Sequence, residues 1–301
     1  MRALRRIAAA TAAGLGLGAA GLMLATAGLA AFLSQPQRRF HAHRAPARRG
    51  IACDDIAFTP RGGGLRLSGW SMRSPAADRA LVLVHGKDAS RTAEFFGRFP
   101  ELGQRLRERG YHVVMLDLRG HGQSEDAHHT FGPGERLDVL GAVDWLRDQG
   151  FPVGRIGLLG VSMGAAASIG ALAIEPGLGA VVADCGYADL PALVGERWRS
   201  ITRLPEAFAL PGWWLAQRMA GCDLADARPV RWIRNVDGQR VFIIHGDNDR
   251  VVPLRDAYTL WSARPEADLW TVPGARHAGS YERDPAAYLD RVDAFFKARL
   301  I

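Results

Sequence analysis

Cysteine is nearly missing from this chain of 301 residues: Cys53, Cys185 and Cys222 stand far apart and form no CxxC pair. So sparse and odd a count supports neither a disulfide framework nor a structural zinc site. Lysine is rarer still, present only as Lys87 and Lys297. No G-x-G-x-x-G follows a predicted strand, so no dinucleotide is implied. Residues 1–50 contain no Asp, Glu or Lys, yet they hold eight arginines. Those eight charges exceed the net +7 of the whole chain, which leaves residues 51–301 at −1. The basic balance belongs to the leader, and a nucleic-acid partner loses its main support. After residue 50 there is no internal repeat and no low-complexity tract.

What the leader does have is one long uncharged run, Ile7 to Leu33, behind "MRALRR". A signal-peptide core is about 7–15 residues and a membrane span roughly 20. The length favours a single-pass anchor over residues 1–34. The rival is a secretory signal cleaved near "ATA", Ala25–Ala27. Arginines flank the run on both sides, so the positive-inside rule assigns no direction. Residues 35–50, "QPQRRFHAHRAPARRG", read as a basic tether, either solvated or lying against anionic headgroups.

From Ile51 onward the pattern is that of a globular domain. A Gly-rich turn joins two short runs over 51–74, a hairpin start. Short Val- and Leu-rich runs then recur at 79–86, 111–120, 155–162, 178–186, 240–247 and 267–274, the mark of strands covered on both faces. Helical stretches lie between them, at Glu94–Arg109, Glu135–Gln149, Met163–Ile174, Leu254–Ala263 and Pro285–Arg299. Alternation of this kind predicts a doubly wound, mostly parallel α/β sheet. It breaks once, in an insert over about 190–239 rich in Pro and Trp, which reads as a short helical cap.

In open α/β sheets, ligands bind beyond the carboxyl ends of the strands. There "GVSMG" places Ser162 between Gly160 and Gly164, at the junction of a predicted strand and helix. A sharp turn of that kind exposes a serine only if its flanks carry no side chains. A nucleophilic serine also needs a base, and the base needs an orienting acid. "HGDNDRVVP" and "GARHAGS" supply Asp249 and His277 on later strand ends, in the chain order Ser, Asp, His. One oxyanion donor is then the Met163 N–H, at the start of the helix. His85, His121 and His245 read as local hydrogen-bonding groups. The adjacent His128 and His129 lack the further ligands of a metal site.

Together with "VHGKDAS" and "LDLRGHGQS", these motifs make residues 51–301 resemble an α/β-hydrolase of the serine aminopeptidase-like and lysophospholipase-like branch. The resemblance implies Ser162 as nucleophile, His277 as general base and Asp249, rather than Asp247, as the acid. It implies the Lys87 N–H as second oxyanion donor, and no metal or organic cofactor. A serine at the elbow disfavours the branches that use a carboxylate nucleophile. The expected activity is hydrolysis of a small-molecule ester, lipid-like ones included, through an acyl-enzyme. Trp198, Phe208, Trp213 and Trp214 of the insert are the expected pocket residues. Two other readings stand beside it: a peptidase, with Glu196 or Glu206 reading a substrate amine, and a non-catalytic membrane-tethered scaffold.

Overall fold

Each Val- and Leu-rich run after residue 78 forms a strand in the computed structural model, which describes residues 20–46 and 50–301. The described chain starts with helix α1 over residues 20–34. Strands β1 (Asp54–Phe58) and β2 (Leu67–Met72) form the hairpin. Then follow β3 (Ala80–Val84), α2 (Glu94–Gly97), α3 (Phe99–Glu108), β4 (His112–Asp117), α4 (Glu135–Asp148), β5 (Ile156–Val161), α5 (Met163–Ile174) and β6 (Ala180–Asp184). The insert supplies α6 (Leu190–Thr202), α7 (Leu210–Ala220) and α8 (Pro229–Trp232). The chain returns through β7 (Val241–Gly246), α9 (Leu254–Ala263), β8 (Asp268–Val272), α10 (Ser280–Arg283) and α11 (Pro285–Arg299).

The strand order is β1-β2-β4-β3-β5-β6-β7-β8, with β2 antiparallel to both neighbours and all other pairs parallel. Alternate residues of the central strands feed opposite cores. Val82, Val84 and Leu158 pack with α4 and α5 side chains such as Leu140 and Ile169. Leu81, Leu83 and Leu159 pack with Leu102, Leu106 and Phe296 from α3 and α11. Each such aliphatic or aromatic side chain contributes about 1.5–3 kcal/mol when fully buried.

One predicted helix is broken. Glu94–Arg109 divides at Arg98 into α2 and α3, and α2 itself is kinked, with Phe95 and Phe96 at positive φ of 48° and 55°. The Glu94 carboxylate turns back to accept the Gly86 N–H at 2.6 Å and the Phe95 N–H at 3.1 Å. Buried polar contacts of that kind outweigh local helix propensity.

The leader is also packed more closely than a tether. Phe40 lies against Trp70, the His41 N–H donates to Thr92 Oγ1, and Arg38 pairs with Asp126 at 2.9 Å. In α1, Ala30, Leu33 and Ser34 are buried against the domain. Gly212 of α7 lets the backbone at Thr26 approach, since a Cβ there would meet the Thr26 carbonyl oxygen at 2.7 Å. Among the described residues no helix is long and apolar enough to cross a membrane. Of the expected anchor over 1–34, residues 1–19 lie outside the described residues, and the rest of the uncharged run falls in α1.

Candidate active site

β5 ends at Val161 and α5 begins at Met163, so Ser162 alone makes the turn, with φ 55° and ψ −114°. This left-handed region is costly for a residue with a Cβ and persists only where the surroundings over-determine it. The surroundings here are two close backbone approaches. A Cβ on Gly160 would run into the Gly164 carbonyl, and one on Gly164 into the Val84 and His85 carbonyls. The Ser162 N–H is held by the Asp184 carbonyl at 2.8 Å, tying the elbow to the end of β6.

Two loops, after β7 and after β8, bring the other residues to it. His277 Nε2 lies 3.0 Å from Ser162 Oγ, and His277 Nδ1 lies 2.7 Å from Asp249 Oδ2. The Asp249 side chain is fully buried, and its Oδ1 accepts the Val251 and Val252 N–H groups at 2.8 and 2.9 Å. Of the two aspartates, Asp249 is the one bonded to His277. Asp247 is exposed and accepts the Gly274 N–H at 2.6 Å, bracing the loop that carries His277. Nδ1–H to carboxylate and Nε2 to hydroxyl is the arrangement that lets an imidazole take a serine proton.

Lys87 and Met163 both border the cavity in front of Ser162, and among the described residues neither N–H donates to a protein acceptor. The Lys87 ammonium is engaged elsewhere: it pairs with Asp88 and sits 4.4 Å over the Phe32 ring. The oxyanion loop is pinned from behind. Glu94, whose acidity burial weakens, holds Gly86 through its N–H. His85 is fully buried, with Nε2 accepting the Leu118 N–H at 3.0 Å and Nδ1 donating to the Gly86 carbonyl. Burial pushes its pKa well down and keeps it neutral. His121 accepts the Asp88 N–H, and His245 donates to the Val252 carbonyl. His128 and His129 instead cap the carboxyl end of α1, through the Ser34 and Phe32 carbonyls. Cys185, Asp249 and His277 lie close enough to suggest a metal site, but the last two are already bonded to each other, and burial pushes the Cys185 thiol well up.

A cavity of about 560 Å³ opens onto Ser162 and His277, within the range of small-molecule sites. Of the four expected pocket residues, Trp198 lines it. Phe208, Trp213 and Trp214 do not. Phe208 and Trp214 face solvent, with Trp214 under the Arg218 guanidinium, and Trp213 packs against the domain core. The cap is amphipathic, and α6 rather than α7 turns its apolar face inward, through Leu190, Leu193 and Val194. Sequence reasoning missed the rest of the wall, notably Phe131, Tyr187, and Leu29 and Phe32 of α1. It missed Glu94 too, because nothing local marks a carboxylate that acts through a loop eight residues away.

Known proteins are similar to this chain in sequence or in fold. Residues 65–197 match the family described as X-Pro dipeptidyl-peptidase (S15 family). The uncharacterized protein YqkD of Bacillus subtilis is 25% identical over 78% of this chain and 77% of its own length. Phospholipase YtpA of the same organism is 34% identical, over 33% of this chain and 36% of its own. Among solved structures, the Pyrococcus furiosus esterase Pf2001 superposes with a TM-score of 0.72 at 25% identity, covering 89% of this chain and all of that one. With a serine, histidine and aspartate in bonded register at the strand ends of this sheet, the chain is a serine hydrolase of the α/β-hydrolase fold.

Proposed function

We propose that this enzyme hydrolyses carboxylic esters whose acyl part is apolar. In this reading His277 Nε2 takes the Ser162 proton as Oγ attacks the ester carbonyl. The Lys87 and Met163 N–H groups hold the resulting oxyanion, and Asp249 steadies the imidazolium. His277 then passes its proton to the leaving alkoxide. Water attacks the acyl-enzyme by the same route in reverse and releases the acid.

The composition of the cavity carries the preference for esters. Its walls near Ser162 are aliphatic and aromatic, and Asp88, its lining carboxylate, is already paired with Lys87. A peptidase that grips a free substrate amine needs an unpaired carboxylate there. Glu196 pairs with Arg255 and Glu206 with Arg199, and neither lines the cavity.

The test is a fluorophosphonate probe on wild type and Ser162→Ala, followed by p-nitrophenyl esters set against aminoacyl-proline p-nitroanilides. Labelling confined to the wild type, with ester turnover dominant, supports the reading. Faster anilide turnover makes the enzyme a peptidase. A folded wild type that neither labels nor turns over points to a non-catalytic scaffold.

The same proposal places the full chain at a membrane through the uncharged residues from Ile7 that precede the part of α1 packed on the domain. Retention in the membrane pellet after an alkaline wash supports this. A soluble product with a shortened N-terminus identifies a cleaved secretory signal instead.

A further inference from the structure

Ala25, Gly28, Leu29 and Phe32 follow one another at helical i, i+3, i+4, i+7 spacing, and all four line the cavity that opens onto Ser162. A second set on α1, Ala30, Leu33 and Ser34, is buried against the domain. Met23 and Leu24 remain exposed. The helix is thus divided by function: one stripe docks and a neighbouring stripe faces the reaction centre.

The docking is specific. The Ser34 carbonyl accepts the His129 N–H at 3.1 Å, and His128 Nδ1 lies 3.1 Å from the same oxygen. His129 Nε2 reaches the Phe32 carbonyl at 3.2 Å, so the last carbonyls of α1 find partners. Phe32 carries the Lys87 ammonium on its ring and stands 6.0 Å from the Phe131 ring, centroid to centroid. The Gln37 N–H donates to Asp88 at 2.8 Å. The leader therefore holds both the outer wall of the pocket and the loop that bears the Lys87 N–H.

We propose that the Ala25–Gly28–Leu29–Phe32 face of α1 is the acyl-binding wall of the site and sets the length of acyl chain the enzyme accepts. The inference rests on the ester-hydrolase reading above. Gly28 is the most informative position, because a Cβ there meets nothing within 4 Å and its side chain would grow into open space. Leucine at that point fills cavity volume while raising helix propensity.

The test uses the full-length enzyme as wild type, Gly28→Leu, Ala25→Leu and Ala27→Leu. Ala27 is exposed and off the cavity face, so its variant adds the same volume as Ala25→Leu where it blocks nothing. The quantity read is the ratio of kcat/KM for p-nitrophenyl laurate to that for the acetate. Gly28→Leu and Ala25→Leu are expected to lower this ratio about tenfold or more, the scale on which pockets discriminate by methylenes, while Ala27→Leu leaves it at the wild-type value. Equal ratios in all four proteins overturn the proposal.

Binding of a dansyl-labelled fatty acid, measured in a Ser162→Ala background, separates the two readings. If the wild type neither labels with fluorophosphonate nor hydrolyses acetate, the ester-hydrolase reading falls, and fatty-acid binding decides the role of α1. Weaker binding in Gly28→Leu but not Ala27→Leu supports the helix as wall, and unchanged binding in both removes it.

Discussion

Asp249 holds His277 by one carboxylate oxygen and its own loop by the other: Oδ2 lies 2.7 Å from His277 Nδ1, while Oδ1 accepts two backbone N–H groups. Orientation of the imidazole is therefore built into the loop after β7. Asp249→Asn keeps the shape but presents an amide where a carboxylate fixed the tautomer, and kcat on an activated ester is expected to fall by about 10⁴. Asp247→Asn removes only a loop brace and should leave kcat within about tenfold. Steady-state kinetics of the two variants checks the assignment; equal losses would contradict it.

Glu94 acts on the oxyanion loop without touching the reacting atoms. Glu94→Ala strands the buried Gly86 N–H, at a cost of about 1–3 kcal/mol of stability, and frees the loop to shift. Lower kcat with little change in KM is expected, because the loss falls on the transition state. Glu94→Gln keeps an acceptor oxygen and should restore most of both. Denaturant midpoints and a kcat against KM comparison test this; a fall in stability alone would leave Glu94 with only a packing role.

Asp184 lies at the end of β6 with its carboxyl buried, and burial lifts its pKa to about 7 despite the Ser280 hydroxyl at 2.9 Å. Between its unfolded value near 3.8 and about 7, the folded protein holds a proton that the unfolded chain has lost. The unfolding free energy therefore falls as pH rises through this window. The contribution is full below pH 3.8 and gone above about 7. In urea titrations across that range, wild type is expected to lose stability with rising pH relative to Asp184→Asn, which cannot ionise. Parallel curves would show that Asp184 ionises in the fold as it does in the unfolded chain.

Gly164 leaves no room for a methyl group between α5 and the end of β3. Gly164→Ala forces α5 away from the Val84 and His85 carbonyls and swings the elbow with it. Overpacking of this kind costs about 1–3 kcal/mol, and ester turnover should drop by more than the loss of folded protein explains. Melting temperature and fluorophosphonate labelling rate, read together, test it.

Ser162, Asp249 and His277 were legible in the sequence because each follows a strand whose apolar run is continuous, and strand ends of a parallel sheet converge on one side. The two flanking glycines were legible for a steric reason that local sequence expresses. Asp249 over Asp247 needed a resemblance, since both follow the same strand and only the tertiary bonds separate them.

The walls of the pocket were not legible in the same way. Aromatic residues drew attention to α7, yet the inward face belongs to α6, because the direction of an amphipathic helix depends on what it packs against. Alternating apolar strands and helices, the elbow and its partners are local patterns, and the sequence by itself determined the sheet and the catalytic order. Burial of Glu94, pairing of Lys87 with Asp88 and docking of α1 along the cavity come from contacts between segments far apart in the chain. In an uncharged run such as residues 7–33, no periodicity distinguishes a face for solvent or lipid from a face for the pocket. Only the tertiary structure, by covering one stripe and leaving another open to Ser162, decided which was which.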